Sequence, residues 1–303
     1  MSRLPDRAIV VEVGPRDGLQ SQAGLLSLDA KLGFIERLNA TGLSVIEVGA
    51  FVSPKWVPQM ADSDEVLRRL VRVPGVRYPV LVPNETGLDR AMAAGAREIA
   101  VFTAASETFN KKNTNAGIAE SIERFRPVTK RAREAGIWVR GYVSTCFGCP
   151  YEGAVAPEKV LEVVKQLDGI GVEEFSIGDT IGVAHPGQIE DVFGLLMGSF
   201  PADRLALHAH DTRGTALTNC YRALTLGISR FDTSAGGVGG CPYAPGAAGN
   251  LATEDLVYML EGLGVKTGVD LAKLVKASAF LEDQLGYTLP GKAYQALRRK
   301  KEQ

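Results

Sequence analysis

The chain has 303 residues, with 34 Lys and Arg against 35 Asp and Glu, and 45% of its residues are hydrophobic. So even a charge balance excludes the basic excess of a general nucleic-acid or membrane-surface binder, and no stretch approaches the roughly 18 apolar residues of a membrane span. The N-terminus, MSRLPDRAIVVEV, has no apolar secretory region, and the four scattered cysteines (146, 149, 220 and 241) form no disulfide framework, so a cytoplasmic protein is expected.

Strand-like runs then alternate with helix-like ones from end to end. The predicted strands are residues 8–14 (AIVVEVG), 44–51 (SVIEVGAF), 77–83 (RYPVLVP), 98–104 (EIAVFTA), 138–144 (WVRGYVS), 173–179 (EEFSIGD), 205–210 (LALHAH) and 230–236 (RFDTSAG). Between them lie helix-period segments such as LDAKLGFIERLNATG and PEKVLEVVKQLDGIG, several closed by the glycine expected at a helix C-cap. Eight β-then-α units predict a parallel sheet, and the count of eight favours closure into a (β/α)8 TIM barrel. The rival, an open doubly wound sheet, would place G-x-G-x-x-G after its first strand, where this chain has G-P-R-D-G. A single α/β barrel domain is therefore expected over residues 1–303. Its barrel would occupy about residues 8–264, with added C-terminal helices over about 265–303.

In such a barrel the chemistry belongs on the loops that follow the strands. That is where the unusual residues collect: Arg16 and Asp17 after the first predicted strand, Glu47 in the second, Arg140 in the fifth, Asp179 at the end of the sixth. The seventh, in RLALHAHDTRG, carries His208 and His210, and the eighth runs into GGVGGCPYAPGAAGN. Alternate residues of a strand share a face, so the two imidazoles point the same way out of an apolar strand. This pattern favours metal binding over a lone core histidine. Closure makes the seventh, eighth and first strands neighbours and lets Asp17 reach the same point. Two imidazoles and a carboxylate form a three-ligand site with open positions for a divalent cation that holds an oxygen-rich substrate. The residues alone leave other roles open: Asp17 as a turn residue, Asn250 as an N-cap with Glu254 in its first turn, Glu47 and Arg140 as paired lumen charges. An H-x-H amide hydrolase is disfavoured, because the motif comes late and only His185 remains. A two-His-one-carboxylate iron oxygenase usually has a different fold. The tetrapeptide Gly-Cys-Pro-Tyr occurs twice, at 148–151 and 240–243. Position favours Cys241 as the reactive thiol, since it follows the strand beside the histidines, whereas Cys149 follows one across the barrel. Cys146 and Cys149 make a single C-x-x-C with no second half, and Cys220 is assigned to the core.

The segments VEVGPRDGLQ, FVSPKWVPQMAD, GYVSTCFGCPYEG, GDTIGV, HAHDT and GGVGGCPYAPGAAGNLATEDLVYMLEGLG together resemble the 3-hydroxy-3-methylglutaryl-CoA lyases. The resemblance implies a TIM-barrel carbon–carbon lyase that cleaves a CoA thioester to acetyl-CoA and acetoacetate, as in leucine degradation. It implies Mg2+ or Mn2+ held by Asp17, His208, His210 and Asn250, and Arg16 near the thioester carbonyl. It implies Glu47 as support, His208 or Asp17 as the base, and Cys241 as a proton donor on a mobile loop. By the same analogy Arg140 and Asp179 stand on the substrate side, and a homo-oligomer is expected, with no nucleic-acid or membrane partner. The chain departs from the family in having Val48-Gly49-Ala50 where hydroxyl residues often follow the glutamate, and Ser21-Gln22-Ala23 where a lysine often closes a polar segment. These departures leave a longer branched 3-hydroxyglutaryl-CoA as an alternative substrate. A Claisen-type condensing enzyme of the same barrel group would usually carry a long C-terminal regulatory region. A catalytically dead scaffold is disfavoured, because every candidate ligand and Cys241 are present. No peroxisomal tripeptide or transit peptide is seen, in line with the cytoplasmic expectation.

Overall fold

The structure, a computed structural model, describes residues 4–240 and 249–298. Its strands are β1 (Ile9–Glu12), β2 (Val45–Ile46), β3 (Gly49–Ala50), β4 (Val80–Leu81), β5 (Glu98–Ala104), β6 (Trp138–Ser144), β7 (Glu174–Asp179), β8 (Leu205–Ala209) and β9 (Arg230–Thr233). All pair in parallel, in the order β2-β1-β9-β8-β7-β6-β5-β4-β3. The two ends of this order are halves of one predicted strand, residues 44–51. Its first half pairs with β1, Val45 opposite Val11, and its second half with β4, Gly49 opposite Val80. Across the break the ladder continues on both sides, Glu47 N–H to the Glu12 carbonyl at 2.8 Å and Val48 N–H to the Pro79 carbonyl at 3.1 Å. Nine ladder segments are therefore eight strands, and the sheet closes as a (β/α)8 barrel. The split is local: the stagger of a barrel makes one strand lean on different neighbours along its length.

The helices are α1 (Leu28–Asn39), α2 (Ser63–Arg69), α3 (Glu85–Ala93), α4 (Glu107–Thr114), α5 (Ile118–Glu134), α6 (Pro157–Gly169), α7 (Pro186–Met197), α8 (Ala216–Thr225), α9 (Thr253–Gly262), α10 (Leu271–Leu285) and α11 (Lys292–Arg298). No described helix is long and apolar enough to cross a membrane. Several starts follow from local chemistry. Ser27, Asn84, Ser106 and Asp270 each accept the backbone N–H three residues on, satisfying a donor the helix leaves open. His185 does the same for α7, and Gln188 reaches back to the His185 N–H. The third histidine is thus a cap. The apolar helix faces and the outer strand faces share one large core, while Val11, Val13 and Val45 form a small cluster of their own inside the barrel. The last two helices are tied to α9: Ser278 of α10 donates to Glu254, and Asp255 accepts the Lys292 and Ala293 N–H groups that open α11.

Candidate active site

The carboxyl ends of β1, β8 and β9 bring the predicted residues together. After β1 the chain makes one wide helical turn, Gly14–Gly18, which needs glycine at its start, since a Cβ on Gly14 would stand 2.5 Å from the Glu12 carboxylate. That turn presents Arg16 and Asp17. Arg16 is buried, with its Nε donating to Glu47 at 2.7 Å, its Nη1 donating to Asp17 at 2.6 Å and its guanidinium 5.2 Å over the Tyr142 ring. Glu47 therefore pairs with Arg16 and not with Arg140.

His208 and His210 do share a face. Their Nε2 atoms lie 3.2 Å apart, and the Asp17 Oδ2 lies 4.0 Å from the His208 Nε2. One ligand atom from each of Asp17, His208 and His210 falls within 4.8 Å of the others. Asn250 is not the N-cap of α9, which is Ala252. Its amide donates to Asp17 Oδ2 at 2.9 Å, and its buried Oδ1 has no hydrogen-bond partner. A six-coordinate cation with bonds of 2.0–2.1 Å sets adjacent donor atoms about 3 Å apart. The histidine pair, the carboxylate and the orphaned amide oxygen fit such an ion in spacing and in chemistry: oxygen and imidazole donors, no thiolate.

The electrostatics follow from the packing. Burial acts to raise Asp17, but the Arg16 guanidinium and the two histidines outweigh it and hold the carboxyl at about 2. Burial and the neighbouring His208 push His210 down to about 4, so it is neutral and its lone pair is available at neutral pH. His208 goes the other way: burial is opposed by its hydrogen bond to Asp232 and by Asp17, and the net direction is up.

Arg140 and Asp179 are placed differently. Arg140 is 1% exposed, and its guanidinium meets Asp232 (2.6 and 3.2 Å), Glu174 (2.8 Å) and the Tyr142 hydroxyl (3.0 Å). This is the lumen ion pair that the sequence left open, with different carboxylates from Glu47. Asp179 closes β7, accepting the Val183 and Ala184 N–H groups at 2.9 and 3.0 Å. Its burial raises its pKa, against an opposing influence from His208. Cys241 lies outside the described residues. The chain on either side of it is pinned: a Cβ on Gly249 would meet Gly239 backbone at 2.7 Å, and one on Gly239 would meet the Asn250 amide at 2.7 Å. The glycine loop thus leaves and returns beside Asn250. Cys146, Cys149 and Cys220 are free and buried.

Sequence reasoning passed over Asp232 and Glu12. Glu12 is an acid inside an otherwise apolar strand, the same signal that singled out Glu47, and Asp232 is a fully buried acid in a strand of mixed character. Glu12 accepts from Gly14 N–H, Ala235 N–H and the Thr253 hydroxyl (2.8, 2.9 and 2.6 Å) and ties the Arg16 turn to the base of the glycine loop.

The family model described as HMGL-like matches residues 7–281. Human mitochondrial hydroxymethylglutaryl-CoA lyase is 53% identical over 296 residues, which cover 98% of this chain and 91% of that protein. Among solved structures, the HMG-CoA lyase of Bacillus subtilis superposes with a TM-score of 0.96 at 47% identity, covering 97% of this chain and 99% of that one. An HMG-CoA lyase from Acinetobacter baumannii, in complex with coenzyme A and 3-methylmalate, superposes with a TM-score of 0.93 at 38% identity, covering 98% and 97%.

Proposed function

The chain belongs to the HMGL-like family and is a hydroxymethylglutaryl-CoA lyase, and from that premise we propose how its own residues carry out the cleavage of 3-hydroxy-3-methylglutaryl-CoA to acetyl-CoA and acetoacetate. The observation that carries the proposal is the convergence of Asp17, His208 and His210 from two strand ends on one point, with the Asn250 Oδ1 left unpartnered beside them. These four would hold the Mg2+ or Mn2+. When bound, that cation supplies Lewis acidity toward the substrate hydroxyl and a fixed anchor for the free carboxylate.

The remaining work falls to the protein. Cleavage requires the tertiary hydroxyl to lose its proton while the C–C bond breaks, and the bonding pair leaves as a thioester enolate. Asp17, whose carboxylate stands beside the other cation ligands, takes that proton, while His208 is engaged through Nδ1 with Asp232. Arg16, fixed by Glu47 on one side and Asp17 on the other, is a preorganised cation for the charge that develops on the thioester oxygen. Cys241 returns a proton to the enolate carbon, from a loop whose described ends lie beside Asn250. Asp179, which holds the turn after β7 by accepting the Val183 and Ala184 N–H groups, is assigned to the substrate side of the site. The three described cysteines are free thiols, which supports a reducing, cytoplasmic setting. The test is direct: incubate the enzyme with 3-hydroxy-3-methylglutaryl-CoA and Mg2+ or Mn2+ and follow acetoacetate. Release that stops with chelator and resumes with added metal is expected. Release unaffected by chelator would overturn the ligand assignment, and turnover only of a longer-chain analogue would overturn the substrate.

A further inference from the structure

We propose that Asp232, clamped by Arg140, is the positioning residue that holds His208 in the tautomer and orientation a cation requires. This rests on the cation site proposed above and extends it one layer outward. Asp232 lies on β9, 1% exposed, and every group the structure sets against its carboxylate is a donor. Arg140 grips it with Nη2 at 2.6 Å and Nη1 at 3.2 Å, the Ser176 hydroxyl donates at 2.6 Å, and the His208 Nδ1 stands at 3.3 Å. A carboxylate accepts only, so the proton between Asp232 and His208 belongs to the imidazole Nδ1. A neutral imidazole has one N–H. The lone pair is therefore on Nε2, the atom that faces Asp17 and the His210 Nε2.

The clamp is itself braced. Arg140 Nε lies 2.8 Å from Glu174, and Arg230 closes Glu174 from the far side at 3.3 Å. A chain of alternating charges thus runs from beneath His208 down the barrel interior: Asp232, Arg140, Glu174, Arg230. Two nearly parallel hydrogen bonds from one guanidinium fix the plane of the Asp232 carboxylate, which a lysine ammonium cannot do. Tyr142 completes the setting, its ring edge-on to His208 (86°, 6.2 Å) and its hydroxyl accepting from Arg140. With its guanidinium engaged in this way, Arg140 acts on the chemistry through Asp232 and His208 and does not touch substrate.

The experiment titrates metal-free protein with Mn2+ alone and reads free Mn2+ by its electron paramagnetic resonance signal, so that no turnover is needed. Asp232→Asn places an amide donor among donors and breaks the tautomer control; the Mn2+ dissociation constant should rise about 10–100-fold. Arg140→Lys should give an intermediate rise, and Ser176→Ala should stay within about twofold, since the guanidinium grip remains. Circular dichroism and thermal melting establish that each variant is folded. Should Asp232→Asn not fold, the wild type still decides: only three histidines are present, and 15N-histidine spectra with saturating Mg2+ should show His208 protonated at Nδ1. Unchanged Mn2+ affinity in folded Asp232→Asn, or a His208 without the Nδ1 proton, would overturn the inference. A wild type that binds no Mn2+ would overturn the cation site as well, which separates the two failures.

Discussion

Arg16 is caught between two carboxylates, and both its catalytic and its structural weight follow from that. Removing one preorganised donor of this kind costs a hundred- to a thousandfold in turnover, about 3–4 kcal/mol. Glu47 is fully buried, so Arg16→Gln also strands a carboxylate that burial already pushes up in pKa. Arg16→Gln should therefore lose both kcat and several degrees of Tm. Adding Glu47→Gln should restore most of the Tm but none of the kcat. Recovery of turnover in the double variant would mean that Arg16 serves folding alone. The cysteines separate in the same way. Cys149 is buried with its Sγ 3.0 Å from the Ser106 hydroxyl and accepts the Tyr151 N–H at 3.3 Å, the contacts of a packed loop residue. Cys149→Ala should stay within a fewfold of wild type, whereas Cys241→Ala should lose at least about a hundredfold in kcat, as for a general acid. Equal losses in the two variants would displace Cys241 from that role.

The start of α9 organises everything around the base of the glycine loop. Glu254 accepts the Gly236 N–H at 2.8 Å and the Ser278 hydroxyl, joining the loop base to α10. Gly236 has a φ of +66°, and a Cβ there would collide with Leu289 at 2.3 Å, so this close approach admits only glycine. Burial of Glu254 pushes its pKa up to about 8, and burial of Glu12 pushes that group to about 7. A raised acid binds more protons in the folded state than in the unfolded one. Its contribution to stability is complete below the unfolded value of 4.5 and is lost as pH rises toward the folded value. Between pH 5 and 8 the wild type should thus lose roughly 1.4 kcal/mol per pH unit through Glu254, with Glu12 adding to the slope up to about pH 7. Glu254→Gln retains an acceptor for the Gly236 N–H and carries no group that titrates, so its urea midpoint should fall less steeply over that range. Parallel profiles for the two proteins would show Glu254 to be ionised in the fold.

The candidate cation site joins the turn after β1, the end of β8 and the chain before α9, which are distant in sequence; the Asn250–Asp17 hydrogen bond alone spans 233 positions. A ligand that binds only the native state stabilises it by mass action, about 2.7 kcal/mol at a hundredfold excess over Kd. Mn2+ should raise Tm by a few degrees, chelator should reverse it, and Asp17→Asn should abolish the shift. An equal shift in Asp17→Asn would place the ion elsewhere. Local periodicity sufficed for much of this molecule. The alternation of β and α runs, eight times over, carries the barrel, and the one-residue spacing of His208 and His210 carries their shared direction, because side-chain direction repeats within a few residues of chain. The motifs around Arg16, Asp17 and the glycine loop likewise carried the reaction class. Partner choice among buried charges did not follow. Glu47 meets Arg16, across 31 positions, and Arg140 meets Asp232, across 92. The stagger of the closed sheet set those meetings, and it also split residues 44–51 between two neighbours. A buried charge is held by whichever opposite charge the strand register brings opposite it, and register is a property of the assembled barrel.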